Sequence, residues 1–239
     1  MIKYLKHIQR KEINLFGGKA TNLGFLMQNG FNVPDGFCIS TKANVKDIRN
    51  KDEIIKRFKK LKSAVAVRSS ATAEDSEKSS FAGQFDTFLN IQDEKQLFNA
   101  IKKCKNSVKS DRAKAYIKNK KLNNFKMSVV VQKMIDADYA GVVFTVDPVD
   151  KKNILIEIVM GLGDKLVSGE VTPNNYIVDR KSMHINNKSN SFQFDNKIIK
   201  KLAKIALEIE SLYKHPQDLE FAIKNNKIFI LQSRPITTL

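Results

Sequence analysis

Helical periodicity is the first clear pattern in the chain. Leu23, Leu26 and Met27 recur at helical spacing and predict a helix over 20–28, which Gly30 is placed to end. The residues immediately before this helix are small and polar, so its N-terminus is a place where backbone N–H groups could face a ligand.

Short apolar runs follow this helix and alternate with charged segments. The stretch 31–41 combines a Pro-Asp-Gly turn with an apolar run, which predicts a turn and then a strand. The stretch 63–68 (SAVAVR) alternates small and β-branched residues and predicts a buried strand. Charged helices are predicted over 47–62 and after Asp93, which can act as an N-cap.

Strand patterns dominate from Met127 onward, where MSVVVQKM, AGVVFTV and ILIEIV follow one another closely. Asp195 then caps the most regular helix, whose apolar stripe is Ile198, Leu202, Ile205, Ile209 and Leu212. Two apolar runs, LEFAI and KIFILQ, close the chain around an Asn-Asn turn and predict a hairpin. The pattern predicts an α/β (α+β) chain of two sub-lobes, about 1–126 and 127–239.

Composition narrows the possible partners. The 239 residues carry a net charge of +17, and the excess lies on Lys-rich segments that are typical of solvated helices, whereas the Gly-rich segments are neutral to acidic. This distribution does not favour a nucleic-acid-binding stripe. Neither a membrane span nor a signal peptide is predicted, so we expect a cytoplasmic protein that does not bind membranes. Cys38 and Cys104 are far apart and are expected to be buried thiols.

Two cationic positions are candidates for phosphate binding. Gly17, Gly18 and Lys19 precede the first helix and would offer backbone N–H groups and one ammonium, although an ordinary helix end with an exposed lysine remains the alternative. Arg68 ends a buried strand, where a guanidinium needs a partner and matches phosphate oxygens in shape.

Two loops rich in small residues are weaker candidates. The segment 79–87 around Gly83 contains the small and hydroxyl residues of a loop that can close over phosphates, but it could equally be a mobile surface loop. The segment 161–164 (GLGD) follows a strand, and an ordinary tight turn accounts for it because the third glycine of a dinucleotide fingerprint is missing.

The final hairpin carries polar residues on apolar strands, namely Glu220, Gln232 and Arg234. A two-residue loop would pair Lys224 with Lys227 and place Glu220 opposite Leu231. A three-residue loop with a bulge would place Glu220 opposite Gln232 instead. Only this second register builds a shared metal site, in which a carboxylate and an amide oxygen would bind Mg²⁺ together with substrate phosphates. A polar face turned to solvent is the alternative.

Five segments together resemble a known family. In this order they are similar to the nucleotide-binding domain of the phosphoenolpyruvate synthase and pyruvate phosphate dikinase family, which includes rifampin phosphotransferase: GGKATNLGFLMQNGFNVPDGFCIST, AVAVRSSATAEDSEKSSFAGQFDTFLNI, VVVQKMIDADYAGVVFTVDP, MGLGDKLVSGEVTPNNYIV and DLEFAIKNNKIFILQSRPIT. The resemblance implies an ATP-grasp fold of mixed and antiparallel sheets with flanking helices. It also implies that ATP and Mg²⁺ bind between two lobes and that phosphoryl is passed to a histidine.

The resemblance also implies roles for individual residues. Lys19 and Arg68 would bind the ATP phosphates, the loop from Gly83 through Thr87 and Phe88 would cover them, and Gln132 would contact the adenine side. Glu220 and Gln232 would hold metal and nucleotide, and Arg234 would support phosphoryl transfer. The implied catalytic residues are therefore Lys19, Arg68 and Arg234.

Several departures from the family pattern shape the functional prediction. Only residues 43–64 stand where the family has a longer helical stretch, and Asp164 replaces the more usual Glu. The sequence ends just after the Arg-Pro-Ile-Thr segment, where family members continue into a phosphohistidine domain. His7, His184 and His215 lie outside any motif of the phosphoacceptor type. We therefore expect the acceptor histidine on a separate partner protein.

Three functions are consistent with this sequence. The first is the ATP-binding subunit of a split dikinase-like phosphotransferase, which cleaves ATP to AMP and phosphorylates a histidine of its partner. The second is a stand-alone ATP-grasp kinase or ligase that acts directly on a small molecule. The third is a non-catalytic nucleotide-binding module, which the retained site residues argue against.

Overall fold

The computed structural model describes residues 1–72, 86–110, 114, 118, 125–163, 166, 169–187 and 194–237. Gly83 and Asp164, two positions that the sequence singled out, lie outside the described residues.

The chain forms two compact units, Met1–Met134 and Ile135–Leu239. The sequence placed the start of the second lobe at residue 127 instead. The difference is one strand, Met127–Lys133, which pairs with Gly36–Ile39 and Val65–Ala71 of the first unit. The partners of this strand lie far away in the sequence, so the local pattern near residue 127 does not show which unit the strand joins. The boundary between the units therefore comes after this strand and not before it.

The described part of the first unit is built on a five-stranded antiparallel sheet in the order β1-β2-β5-β3-β4. Its strands are β1 (Ile2–Tyr4), β2 (Gly36–Ile39), β3 (Val65–Ala71), β4 (Thr87–Ile91) and β5 (Met127–Lys133). The predicted strand over 63–68 is confirmed as β3, but it continues to Ala71, so Arg68 lies inside the strand and not at its end.

Helices cover both faces of this sheet. Helices α2 (Ile48–Leu61) and α3 (Glu94–Asn106) pack against the face that carries Val65 and Val67. Helix α1 (Ile13–Gln28) lies on the opposite face, because side chains alternate along β3 and Ser70 contacts Phe16 there. The predicted helix over 20–28 is confirmed as the second part of α1.

The described part of the second unit contains a six-stranded antiparallel sheet in the order β11-β10-β6-β7-β8-β9. Its strands are β6 (Tyr139–Phe144), β7 (Ile154–Met160), β8 (Asn174–Val178), β9 (Ile185–Asn187), β10 (Gln217–Lys224) and β11 (Lys227–Pro235). The predicted terminal hairpin is confirmed as β10 and β11. The mixed α/β class with antiparallel sheets is confirmed as well.

One face of this second sheet is covered by helix α4 (Asn196–Tyr213). This face carries the fully buried Leu219, Phe221 and Ile223. Tyr176 lies on it too, and its hydroxyl accepts a hydrogen bond from the backbone N–H of Phe194, just before α4. The polar residues Glu220 and Gln232 alternate with these apolar residues and therefore lie on the other face.

No helix in the described part of the chain is both long enough and apolar enough to cross a membrane.

The N-cap of α4 provides a test of the second unit. Asp195 accepts a hydrogen bond from the backbone N–H of Lys197 at 2.8 Å. Replacing it with Ala should lower the free energy of unfolding by about 1 kcal/mol, because the first turn loses its acceptor. Asp195→Asn keeps an acceptor and is the matched control. Urea denaturation measures both variants, and equal stability of Asp195→Ala and wild type would contradict the capping role.

Candidate functional site

The first candidate site begins at a break in α1. Gly17 has φ 75° and ψ 169°, so the regular helix starts again at Gly18. A Cβ at Gly17 would lie 2.4 Å from the carbonyl oxygen of Ser70, which leaves no room for a side chain. Both the positive φ and the close approach require glycine at this position. The break gives Lys19 a place in the first turn of a new helix.

Lys19 is held against strand β3. Its side chain is almost fully buried, at 6% exposure, and its Nζ donates a hydrogen bond to the carbonyl oxygen of Ser69 at 3.2 Å. The alternative of an exposed lysine at an ordinary helix end is therefore wrong. Arg68 directly precedes Ser69, so one strand fixes both cations that the sequence singled out for phosphates.

The pairing of β3 with β4 places the next two predicted residues on different faces. Thr87 lies opposite Arg68 and shares its face of the sheet. Phe88 lies opposite Val67, packs against the core beneath α2 and α3, and has the ammonium of Lys103 5.4 Å from its ring centroid. The phenyl ring thus does not lie on the Arg68 face, and only its backbone could take part in a phosphate loop there.

Gln132 lies on the same face of the sheet as Arg68. It pairs with Ala66 on β3 and with Gly36 on β2. Ala66 and Arg68 are two residues apart on β3, so their side chains point to the same face of the sheet. Its side chain is buried, at 2% exposure, and its Nε2 has no hydrogen-bond partner among the residues that the structure describes. A buried amide donor without a partner is costly, so this group is suited to a ligand acceptor.

The second candidate site depends on the register of the terminal hairpin. Lys224 pairs with Lys227, and Asn225 and Asn226 both have positive φ, so the turn has two residues. Further along, Phe221 pairs with Ile230 but Glu220 pairs with Gln232. Leu231 is the extra residue of a β-bulge between these pairs.

The structure thus combines the two registers considered from the sequence. The turn is that of the two-residue loop, whereas Glu220 faces Gln232 as in the bulged register. The bulge lies inside β11 and not at the turn, which is why neither register was fully correct. Gln232 is buried, at 4% exposure, so the interpretation of a solvated polar face is wrong for this residue.

Arg234, which is partly buried, pairs with a buried carboxylate that the sequence analysis did not single out. Its Nε lies 2.7 Å from Oδ2 of Asp218 and its second terminal nitrogen lies 2.6 Å from the same oxygen. Asp218 is 6% exposed, and burial raises its pKa above the usual value even though the guanidinium lowers it. Asp218 stands two residues before Glu220 in a strand pattern, and this spacing was the signal that could have identified it.

Two oxygen atoms on this face lack protein partners. Oε1 of Gln232 and Oδ1 of Asp218 are buried, and neither accepts a hydrogen bond from any residue within the described ranges. Buried oxygens of this kind are expected to find a donor or a cation. The donor set of carboxylate and amide oxygens on one face therefore fits a hard divalent cation.

Glu157 is a further residue of this face that the sequence analysis did not single out. It lies on β7 in the row that runs through Val142 on β6 to Glu220, and it is half-buried. Burial raises the pKa of Glu157, and the nearby carboxylates of Asp218 and Asp147 raise it further. A glutamate inside the apolar run ILIEIVM was the available signal.

The predicted residues therefore form two groups, each within one unit. The first group lies on the α1 side of the first sheet, where its members contact β3 directly or share a cross-strand row on that face: Lys19, Arg68, Thr87 and Gln132. The second group, on the face of the terminal hairpin that is turned away from α4, consists of Glu220, Gln232 and Arg234. The first group supplies donors and cations, and the second supplies oxygens and one guanidinium.

The fold corresponds to that of a solved structure of another protein. A chain of the dinucleotide-forming acetyl-coenzyme A synthetase 1 from Ca. Korarchaeum cryptofilum, solved with coenzyme A and Ca-AMPCP, superposes with a TM-score of 0.51. The match covers 90% of each chain at 12% sequence identity, so it shows that the two chains share a fold and no more. The fold is of the ATP-grasp type.

The family is defined by the sequence match. Residues 45–191 and 183–239 match the family described as pyruvate phosphate dikinase, AMP/ATP-binding domain, and the chain belongs to this family. The resemblance seen in the five sequence segments is therefore confirmed.

Curated relatives extend beyond this chain. A probable phosphoenolpyruvate synthase of Methanocaldococcus jannaschii is 32% identical, and the match covers 100% of this chain and 27% of the relative. The rifampicin phosphotransferase of Bacillus cereus is also 32% identical, with 98% of this chain and 35% of the relative covered. The chain thus spans about a third of the length of these relatives. The first alignment runs over 317 positions, so it contains at least 78 positions that have no residue in this 239-residue chain.

The raised pKa of Glu157 gives a pH-dependent test. The carboxyl group of Glu157 binds its proton more tightly in the folded chain than in the unfolded chain. Its contribution to the free energy of unfolding is therefore most favourable below the usual pKa of 4.5, and this contribution is lost as the pH rises through the raised value. Glu157→Gln should therefore be more stable than wild type at neutral pH, and the difference should close as the pH falls through the raised pKa towards 4.5.

Thermal unfolding across this pH range, without divalent cations, measures the effect. Glu208→Gln, at an exposed position of α4, is the control and should change stability little at any pH. A constant difference between Glu157→Gln and wild type over the whole range would contradict the assignment.

Proposed function

We propose that this chain is the ATP-binding part of a dikinase-like phosphotransferase, which cleaves ATP to AMP, transfers one phosphoryl group to a histidine on a separate polypeptide and releases the other to water as inorganic phosphate. Membership of the AMP/ATP-binding family supports nucleotide binding. The observation that carries the proposal is the register of the terminal hairpin, which places Glu220 opposite Gln232 with a buried oxygen of Gln232 that has no partner in the described part of the chain.

The cationic residues of the first unit are suited to the phosphates. Lys19 would supply an ammonium in the first turn of a helix and Arg68 would supply a planar guanidinium, which matches two phosphate oxygens at once. Gln132 would donate from its buried amide to an acceptor of the base. Phosphoryl transfer depends chiefly on charge neutralisation and in-line positioning, so a site without a covalent nucleophile is adequate.

Magnesium fits the oxygen-rich face of the second unit. Glu220 and Gln232 would hold it, and phosphate oxygens would complete its coordination, because no group of three or more His, Cys, Asp or Glu side chains in the described ranges is arranged to hold a metal alone. When bound, the ion neutralises charge on the phosphates. Arg234, held by Asp218, would stabilise the charge that develops on the transferred phosphoryl group.

The acceptor is proposed to be none of the histidines of these 239 residues. The sequence contains three, of which His7 and His184 are exposed. His215 is engaged elsewhere, since its Nδ1 lies 2.7 Å from Nε2 of Gln217, a residue that alternates with Asp218 and thus lies on the α4 face. The relatives are several times longer than the region they share with this chain, which leaves room in them for an acceptor domain.

Product analysis tests this proposal. The purified chain is incubated with Mg²⁺ and labelled ATP, with and without a candidate histidine-domain protein, and AMP, ADP and phosphoprotein are resolved. We expect AMP formation that depends on the partner and label on a partner histidine. ADP formed without a partner would indicate direct phosphorylation of a small molecule instead, and ATP binding without any product would indicate a binding module.

Arg234 provides a more specific prediction. Arg234→Ala should reduce phosphoryl transfer by about 100-fold or more while leaving much of the ATP affinity, because its charge acts on the transition state. Arg49→Ala, at an exposed position of α2, is the matched control and should transfer at the wild-type rate. Since Asp218 loses its partner in Arg234→Ala, circular dichroism must show that the variant is folded. Unchanged transfer would contradict the assigned role.

A further inference from the structure

The turn before Lys19 is held by side chains from two strands of the sheet. The carbonyl oxygen of Phe16 accepts hydrogen bonds from Oγ of Ser70, at 2.9 Å, and from Oγ of Ser128. The thiol of Cys38 approaches the same oxygen at 3.7 Å. This carbonyl belongs to the residue just before the break at Gly17. The break is therefore fixed by donors outside α1.

Ser70 also holds the other side of the break. Its Oγ accepts a hydrogen bond from the backbone N–H of Ala20 at 3.2 Å. In the helix that restarts at Gly18, Ala20 is the third residue, and its N–H is one of the groups that a helix cannot satisfy internally. The side chain of an N-cap residue normally accepts a hydrogen bond from this N–H. Ser70 takes that role here, although it lies on strand β3 and not in the chain segment that leads into the helix.

A single hydroxyl is well suited to both contacts. A serine hydroxyl carries one donor and accepts through its lone pairs, so Ser70 can donate to Phe16 and accept from Ala20 at the same time. Ser70 is fully buried, and its two partners are fully buried too. Water cannot replace either hydrogen bond cheaply in this position.

Strand β3 thereby sets Lys19 in two ways. The carbonyl of Ser69 holds its ammonium, and the hydroxyl of Ser70 holds the helix turn from which it extends. Arg68 precedes both residues on the same strand. The position of Lys19 relative to Arg68 therefore depends on these local contacts.

We propose that Ser70 is a positioning residue for phosphate binding, which acts through Lys19 by capping the helix that carries it. The inference rests on the proposed function, because it assigns Lys19 to the ATP phosphates. Without the Ser70 hydroxyl the Ala20 N–H loses its acceptor and the Phe16 carbonyl loses a donor. The first helical turn then relaxes and the ammonium no longer meets the phosphates in the right place.

A double-mutant cycle separates this role from a general structural one. ATP affinity is measured by calorimetry in the presence of Mg²⁺ for wild type, Ser70→Ala, Lys19→Met and the double variant. We expect Ser70→Ala to weaken ATP binding about 10-fold, because the misplaced ammonium of Lys19 loses a charged hydrogen bond to the phosphates. In the Lys19→Met background the same change should have little effect, because the group that it positions is absent.

A matched control uses another buried serine of the first unit. Ser40 is fully buried, and its Oγ has no hydrogen-bond partner within the part of the chain described by the structure. Ser40→Ala removes the same atom from a comparable environment. It should bind ATP with wild-type affinity in both backgrounds.

The outcomes are distinct. Wild type that fails to bind ATP overturns the proposed function, and this inference with it. Wild type that binds ATP, together with a Ser70→Ala variant of equal affinity or an equal loss in both backgrounds, overturns the positioning role alone. If Ser70→Ala does not fold, Ser70→Cys decides the question in the same two backgrounds, because a thiol is a much weaker donor and acceptor than a hydroxyl. Weaker ATP binding only when Lys19 is present supports the role, and unchanged binding overturns it.

Discussion

One extra residue in strand β11 determines which side chains face one another on the polar side of the second unit. The two-residue turn at Asn225 and Asn226 starts a regular ladder in which Glu220 would lie opposite Leu231. The bulge at Leu231 shifts the ladder by one residue, so Glu220 meets Gln232 and Asp218 meets Arg234. Since the side chains of a strand alternate between faces, a shift of one residue exchanges the faces of all residues beyond it. Without the bulge, the pairs that the proposed chemistry needs could not form.

In the first unit, one strand positions the two cationic side chains. The two cations come from segments about fifty residues apart, and strand β3 brings them together through three successive residues. Arg68 supplies one cation, the Ser69 carbonyl holds the ammonium of Lys19, and the Ser70 hydroxyl caps the helix behind it. The break at Gly17 is possible because glycine tolerates both the positive φ and the close approach of β3. Local backbone geometry and the placement of charge are thus coupled in this unit.

Much of the fold could be predicted from the sequence, because helices and strands leave local patterns. Periodicity and turn residues predict the second part of α1, the strand that contains Arg68 and the terminal hairpin. The assignment of β5 to the first unit could not, since its partners lie far away in the chain. The bulge was considered but placed at the turn, because a hairpin pattern does not show where an extra residue is accommodated. Asp218 and Glu157 were missed although each had a local signal, because their places in the site depend on cross-strand neighbours that the sequence does not show.

The central claim is that the chain binds ATP together with a divalent cation held by Glu220 and Gln232. Calorimetric titration with ATP, with Mg²⁺ and then with a chelator, tests it most directly in wild type, Glu220→Gln and the surface control Glu208→Gln. We predict that Mg²⁺ strengthens ATP binding to wild type and to the control, and that Glu220→Gln loses this gain. ATP affinity that does not depend on Mg²⁺ in wild type, or an equal gain in all three proteins, would contradict the account.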